Sequence, residues 1–359
     1  MVKWFKARDQ NFHKLSVKHY GQSVNWKTRL KYPAIALGVI ALAGLIYGAV
    51  VAVNLWQANS AIKALPSVFP THSERPDESP GENILLLGAD YRAYQTASID
   101  TLKGVRADTI ILVHISENRE HVTMLSIMRD SWVQIPEIGE AKINAALSLG
   151  SVATLVQTIE TLLDTRIDRV AAIDFAGFES VVDELGGLTI KNDRAFTLSI
   201  PPRHYYPVGK LNLTGNEVLG FVRERKNLPG GDYQRVKNQR KVIIALAKKI
   251  ITDDVKNNPL KLSATFEAIA PYLAMDDGFT IQYIANLVGS LRSFDYGNIR
   301  QITLPGASTG FTDDGQWAIF LDELALEQMR ERFHDDSIHL FKRVLPSPSV
   351  SSTPSPSNS

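Results

Sequence analysis

The sequence predicts an α/β sandwich built around a mostly buried sheet and carried behind a membrane anchor. Three observations lead there. Short apolar runs of strand composition alternate with longer runs of helical period. The 359 residues are 44% hydrophobic and 21% charged, a balance that supports a packed core. A basic N-terminal stretch is followed by a long uncharged one. The chain has no cysteine, which removes disulfides and thiolate metal sites, and its eight histidines form no HxxxH pair, which argues against a histidine zinc site.

The N-terminal segment sets the topology. Residues 1–32 carry eight Lys or Arg against Asp9 alone and read as a basic cytoplasmic tail. No charge occurs between Lys31 and Lys63, and Pro33 to Val53 is long enough to cross a bilayer as a helix. With Trp56 as an interfacial anchor, residues 33–56 are expected to be a retained signal anchor in the cell membrane. Positive charge before the span puts the N-terminus inside and the rest extracytoplasmic. Residues 57–81, rich in proline, serine and charge toward their end, read as a spacer, residues 82–344 as the main domain, and residues 345–359 as a disordered Ser/Pro tail.

Within the domain, Asn83 to Leu87, Thr109 to Ile115 and His121 to Ile127 have strand composition. Lys142 to Asp164 reads as one or two helices with a wide apolar face. Arg169 to Phe175 is a further strand and Glu179 to Leu185 a short helix, turned by Gly186-Gly187 into Leu188 to Lys191. Thr214-Gly-Asn-Glu217 has the pattern of a capping box and should start the next helix. Helical runs at Val236 to Ile251 and Ile281 to Leu291, and a strand at Arg300 to Leu304, complete the alternation.

Phe221 to Arg240 concentrates charge, with six basic residues against Glu224 and Asp232, while the chain after Lys31 is net acidic. Arg223 and Arg225 are two apart, so they reach one ligand only where a helix ends. Arg235 and Gln239 can share a helical face. Pro229-Gly230-Gly231 breaks the helix between the pairs, and Asp232 is placed to cap the next one. Planar guanidinium forks gathered by such a turn suit a multiply charged phosphate, although a solvated helix end fits the charge alone equally well. Charged residues also close the strands: Asp90 ends LLLGAD, Arg106 and Asp108 precede a strand, and Arg129-Asp130 ends LSIMRD. In open α/β sheets that edge is where ligands bind. Mg²⁺ takes one or two carboxylates plus phosphate oxygens, for which Asp90 and Asp108 would suffice; as turn residues paired with Arg92 and Arg106 they would serve structure only.

Taken in order, LLLGAD, RADT at Arg106 to Thr109, LSIMRD, KINAAL at Lys142 to Leu147, DFAGFESVVDELGGLTI at Asp174 to Ile190, and RER with DYQRVKNQR resemble the LytR-CpsA-Psr family. The match is close over about Glu82 to Ile251. The resemblance implies a three-layer α/β/α sandwich with a central mixed β-sheet, preceded by one transmembrane helix. It implies a transferase that moves a glycopolymer of teichoic acid, capsule or arabinogalactan type from a polyprenyl-pyrophosphate-linked donor to a peptidoglycan acceptor. It implies that Asp90 and Asp108 take Mg²⁺, that Arg106, Arg129, Arg223 and Arg225 carry the chemistry, and that Lys142, Arg235 and Gln239 help bind the substrate. No nucleic-acid partner is expected. Met128 stands where the family usually has proline, and Thr214 where it often has aspartate.

The expected chemistry is phosphoryl transfer, in which positioning and charge neutralisation do most of the work. The sequence names no general base; Asp90 and Asp108 are candidates, and metal-bound carboxylates are poor ones. The apolar faces of Lys142 to Asp164 and Val236 to Ile251 read for the most part as ordinary core, and they also suit the walls of a slot for the polyprenyl chain. Two other classes fit parts of the chain. A non-catalytic binder of lipid-linked anionic glycans would use the same pocket, and Gly306-Ala-Ser308-Thr-Gly310, with Asp335 and His339 downstream, matches a serine-esterase elbow.

Overall fold

The structure, a computed structural model, describes residues 53, 63–65, 68–71, 75–89, 105, 107–251, 258–291 and 294–343. The expected tail, nearly all of the expected span and the Ser/Pro tail lie outside these residues, as do Asp90 and Arg106. Among the described residues no helix is long and apolar enough to cross a membrane.

The order of elements is β1 (Lys63–Ala64), β2 (Glu82–Ala89), β3 (Ala107–Ile115), β4 (Val122–Ile127), β5 (Ser131–Ile135), β6 (Gly139–Lys142), α1 (Val152–Leu163), β7 (Arg169–Asp174) and α2 (Phe175–Glu184). There follow β8 (Leu188–Asn192), β9 (Phe196–Thr197), β10 (Tyr205–Tyr206), β11 (Gly209–Leu213), α3 (Gly215–Arg223), α4 (Asp232–Ile250), α5 (Pro259–Ile269), β12 (Leu273–Met275), α6 (Ile281–Ser290), β13 (Ile299–Thr303), β14 (Gly306–Phe311), β15 (Trp317–Leu321) and α7 (Glu323–His334).

The central sheet is mixed, in the order β1-β12-β7-β2-β3-β4-β13. β2 runs parallel to β7 and antiparallel to β3, and β4 runs parallel to β13. Alternation along each strand splits the core in two. Leu85, Leu87, Ile110, Leu112, Leu125 and Val170 face one side, where α1 and α7 cover them. Ile84, Leu86, Val113, Ala171 and Ile173 face the other, packed with α2, α5 and α6. This gives the expected three layers. A second sheet, β14-β15-β5-β6, stands at the side.

Several boundaries differ from the sequence expectation. The expected spacer is part of the domain from Lys63 onward: β1 pairs in parallel with β12, Leu65 and Val68 are buried in the main core, and Arg75 forks onto Glu160. Lys142 ends a strand rather than starting a helix. A single π-type turn at Ala146–Gly150 precedes α1, which Ser151 caps by accepting the Thr154 N–H at 3.1 Å. α2 starts four residues earlier than expected because the Asp174 carboxylate caps it at Gly177. The capping box at α3 forms as expected, with the Glu217 carboxylate taking the Thr214 backbone N–H at 2.8 Å. Asp232 is the first residue of α4 and not its cap. Gly231, at a φ of 52°, makes the entry turn that a side chain resists.

Candidate functional site

Strand polarity brings the charged residues to one edge. The carboxyl ends of β2, β7, β4 and β13 lie together with the amino end of β3, since Ala89 pairs with Ala107 and Ile110 with Ile127. Asp108 and Arg129 therefore meet at this edge, where Arg129 Nη1 donates to Asp108 Oδ1. Arg129 Nε, 3.5 Å from Asp130 Oδ2, makes no hydrogen bond, and Lys142 Nζ lies 3.5 Å from the other oxygen of Asp130. Burial opposes the charge on Arg129, yet the bond to Asp108 and the carboxylates of Asp130 and Asp232 outweigh it and push the guanidinium above its ordinary value.

α4 contributes the second half. Its first turn holds Asp232, whose carboxylate accepts from Arg235 Nη2 at 3.1 Å, and Arg235 Nε is buried without a hydrogen bond. Burial pushes Arg235 below its ordinary value; Asp232 and Asp108 work against that shift, while Arg129 and Arg225 add to it. Arg235 thus lies within electrostatic reach of all four. Met128 and Ile319 pack on Val236 and support the helix that carries Arg235 and Gln239, so methionine serves this packing in place of proline.

Arg223 is the last residue of α3 and Arg225 follows its cap, so the break that the spacing demanded is present. Both are exposed. The Arg223 guanidinium lies over the Phe175 ring at 4.7 Å. Between the two arginines Glu224 is buried, and its carboxylate accepts the backbone N–H groups of Ser199, of Arg225 at 2.9 Å and of Asn227 at 3.0 Å. Burial opposes its charge, but these bonds hold the carboxyl below its usual range. Sequence reasoning counted Glu224 only as charge. Its position between two arginines that must point outward was the available signal.

Below this edge runs a narrow cavity of about 190 Å³ between the sheet and α2, α3 and α4. Leu86, Ala172, Phe178, Val242 and Leu246 line it, and Gln239 and Asp174 are among its few polar residues. α4 thus walls an apolar slot as expected. α1 does not: its apolar face is ordinary core on the opposite side of the sheet.

Asp108 offers hard oxygen ligands and its side chain is 23% exposed. Among the described residues no group of three or more His, Cys, Asp or Glu forms a protein-only metal cage. The Mg²⁺ mode that uses one or two carboxylates and phosphate oxygens needs none, and Asp108 fits it. Ser308 does not fit a nucleophile elbow: it lies within β14, paired with Phe320 in a hairpin, and no helix follows it.

A mixed sheet within a three-layer α/β/α fold, with carboxylates and arginines at its carboxyl edge and an apolar slot below it, is the architecture that positions the site. The chain belongs to the LytR_cpsA_psr family, matched over residues 54–335. It is similar to a polyisoprenyl-teichoic acid–peptidoglycan teichoic acid transferase TagU of Enterococcus faecalis, at 29% identity over 69% of this chain and 77% of that one. The TagU of Bacillus cereus is 28% identical over 82% of this chain and 93% of that one. The crystal structure of B. subtilis TagV superposes with a TM-score of 0.62 and 26% identity, covering 73% of this chain and 98% of that one.

Proposed function

We propose that the protein transfers a glycopolymer of teichoic acid, capsule or arabinogalactan type from a polyprenyl-pyrophosphate carrier to a peptidoglycan hydroxyl, on the outer side of the cell membrane. The observation that carries this reading is the adjacency of two unlike surfaces. Arg129, Arg235, Asp108 and Asp232 gather at the carboxyl edge, and the apolar slot starts beside them, its wall including Thr109, next to Asp108, and Gln239, one turn along α4 from Arg235. A pyrophosphate on the arginines would leave its prenyl chain beside Gln239, Val242 and Leu246. Transferase relatives and the uncharged N-terminal stretch support the reaction and the anchoring.

In this reading the acceptor hydroxyl attacks the glycan-side phosphorus. A new P–O bond forms, the bridging P–O bond breaks, the hydroxyl proton is lost and polyprenyl phosphate leaves. Arg129, about a quarter exposed, would turn the accessible part of its guanidinium to the pyrophosphate oxygens with Arg235 behind it, while Asp108 and Asp232 hold the two guanidinium groups in place. Arg223 and Arg225 close over the phosphates from the α3 end, with Lys142 across the site. In sequence Asp90 directly follows β2 and Arg106 directly precedes β3, and Mg²⁺ held by Asp90 and Asp108 would supply neutralisation of the pyrophosphate charge.

The test uses the full chain in detergent with a lipid-pyrophosphate donor and a glycan acceptor. Mg²⁺-dependent release of polyprenyl phosphate, abolished by chelation, is the expected result. Donor binding without any release would leave a non-catalytic binder, and release indifferent to chelator would remove Mg²⁺. Protease added to wall-stripped cells should digest the domain; protection of the domain would overturn the orientation.

A further inference from the structure

A second cavity, of about 540 Å³, lies on the other side of α3 from the slot, under the segment Leu198–His204. Its volume falls within the range of ligand sites, about 300–1,000 Å³. We propose that it is a saccharide subsite that receives the sugar units next to the reacting phosphate. The proposal rests on the transferase reading above and adds to it where the glycan lies.

Three observations carry it. First, the cavity adjoins the site across α3. Leu219 lines both it and the apolar slot, and Arg223, over Phe175 on the slot side, also stands in its wall. The C-terminal end of α3, carrying Arg223, thus stands between an apolar slot and this cavity, so that a ligand with a prenyl chain, a pyrophosphate and a glycan could lie across it. Second, the cavity is built onto the arginine loop. Glu224, between Arg223 and Arg225, accepts the Ser199 N–H at one end of the segment. At the other end Leu198 N–H donates to the His204 carbonyl at 2.9 Å, and the His204 ring packs on Tyr206, whose hydroxyl donates to the Glu217 carbonyl at 2.7 Å.

Third, the wall has the composition that a sugar ring needs, apolar surface for its C–H face and donors for its hydroxyls. Pro201, Pro202 and the His204 ring supply the first. Arg203 and Asn216 supply the second: both are exposed, and neither side chain makes a hydrogen bond or ion pair with another described residue. The slot, by contrast, has no basic residue in its wall. Hydroxyl-rich ligand and free donors match on one side of α3, hydrocarbon and apolar wall on the other.

The sugar could belong to the donor or to the acceptor, and soluble probes separate them. Uridine diphosphate presents a pyrophosphate, UDP-N-acetylglucosamine the same pyrophosphate with a hexose, and tetra-N-acetylchitotetraose an uncharged glycan. Binding is measured on the full chain in detergent, for wild type and for Arg203→Ala combined with Asn216→Ala. Wild type should prefer the UDP-sugar over UDP by about tenfold, the worth of two hydrogen bonds, and the double variant should lose that preference. UDP affinity and melting temperature should stay unchanged. If the variant keeps the preference but loses chitotetraose, the cavity is a saccharide site that serves the acceptor. If the variant matches wild type on both sugars, or loses UDP to the same degree, the proposal is overturned. Turnover of a lipid-pyrophosphate donor is measured in parallel, so that a preference for the sugar without turnover would remove the proposed reaction and leave the subsite standing.

Discussion

The two edges of the central sheet both carry arginine–carboxylate pairs, and they treat them in opposite ways. At the amino edge, Arg75 forks onto Glu160 with Nε at 3.0 Å and Nη2 at 2.7 Å, and Glu160 also accepts the Ile167 N–H at 2.8 Å. Beside it, Asn83 bonds Thr165 and the Arg166 carbonyl, and Asp168 accepts the Asn83 N–H. That clamp is closed, with side-chain exposures of 8% for Arg75 and 1% for Glu160. At the carboxyl edge, the paired Arg129 and Asp108 are 25% and 23% exposed. The closed pair serves the fold, whereas the exposed pair leaves its charge accessible at the surface.

If the contrast is sound, substitutions at the two edges should fail in different ways. The largest stability effect belongs to the closed edge. Arg75→Met strands Glu160 as a buried charge and should cost about 3–5 kcal/mol in denaturant unfolding, with turnover per folded molecule unchanged. A matching loss of specific activity would erase the distinction.

The open edge should show the reverse. Asp108→Asn keeps the shape and removes a charge, so turnover and its Mg²⁺ dependence should fall sharply while the melting temperature holds. Arg225→Lys keeps the charge but replaces a planar fork by a point charge. Loss of one charge-stabilising contact should slow turnover about a hundredfold, on the order of 3 kcal/mol, with stability within about 0.5 kcal/mol of wild type. A normal melt with a normal rate would return Arg225 to surface charge.

Glu224 joins the two behaviours, because it is a closed acceptor inside the open site. Glu224→Gln replaces a carboxylate that takes three backbone N–H groups, and should cost about 2 kcal/mol at neutral pH together with part of the activity. Its folded pKa lies below the ordinary 4.5, so the native state binds fewer protons than the unfolded chain in the window below 4.5. The stability it confers is full above 4.5 and is lost as pH falls through the folded value. The gap in melting temperature between wild type and variant should therefore close on acidification below about 4.5. A gap that stays constant to low pH would show that charge is not what Glu224 contributes. The smallest effect is expected at Ser308→Ala, an exposed position in β14: turnover unchanged, stability within about 0.5 kcal/mol, and no labelling of the wild-type serine by a fluorophosphonate.

Arg240 sharpens the same lesson within one helix. It is as buried as Arg235, and burial pushes its guanidinium down to about 10. Yet it bonds Ser126 at 2.8 Å, Thr303 at 2.9 Å and the Ile302 carbonyl at 3.1 Å, neutral groups that tie α4 to β4 and β13. Both arginines lie in one motif, and nothing in the local pattern says which faces a ligand.

Much of the fold and of the site is legible in the sequence. Apolar period locates β2, β3, β4 and α4, the Thr214–Glu217 box locates α3, and the spacing of Arg223 and Arg225 requires the break that follows it. Those features depend on a few neighbouring residues, whose capping and side-chain period act locally. The sheet order, the burial of Leu65 and Val68 from a segment that reads as spacer, the choice of α4 over α1 to wall the slot, and the division of arginines between open edge and closed clamp were decided only by tertiary structure. Each of these depends on which distant strand supplies the counter-charge or the apolar surface, and sequence neighbours carry no record of that pairing.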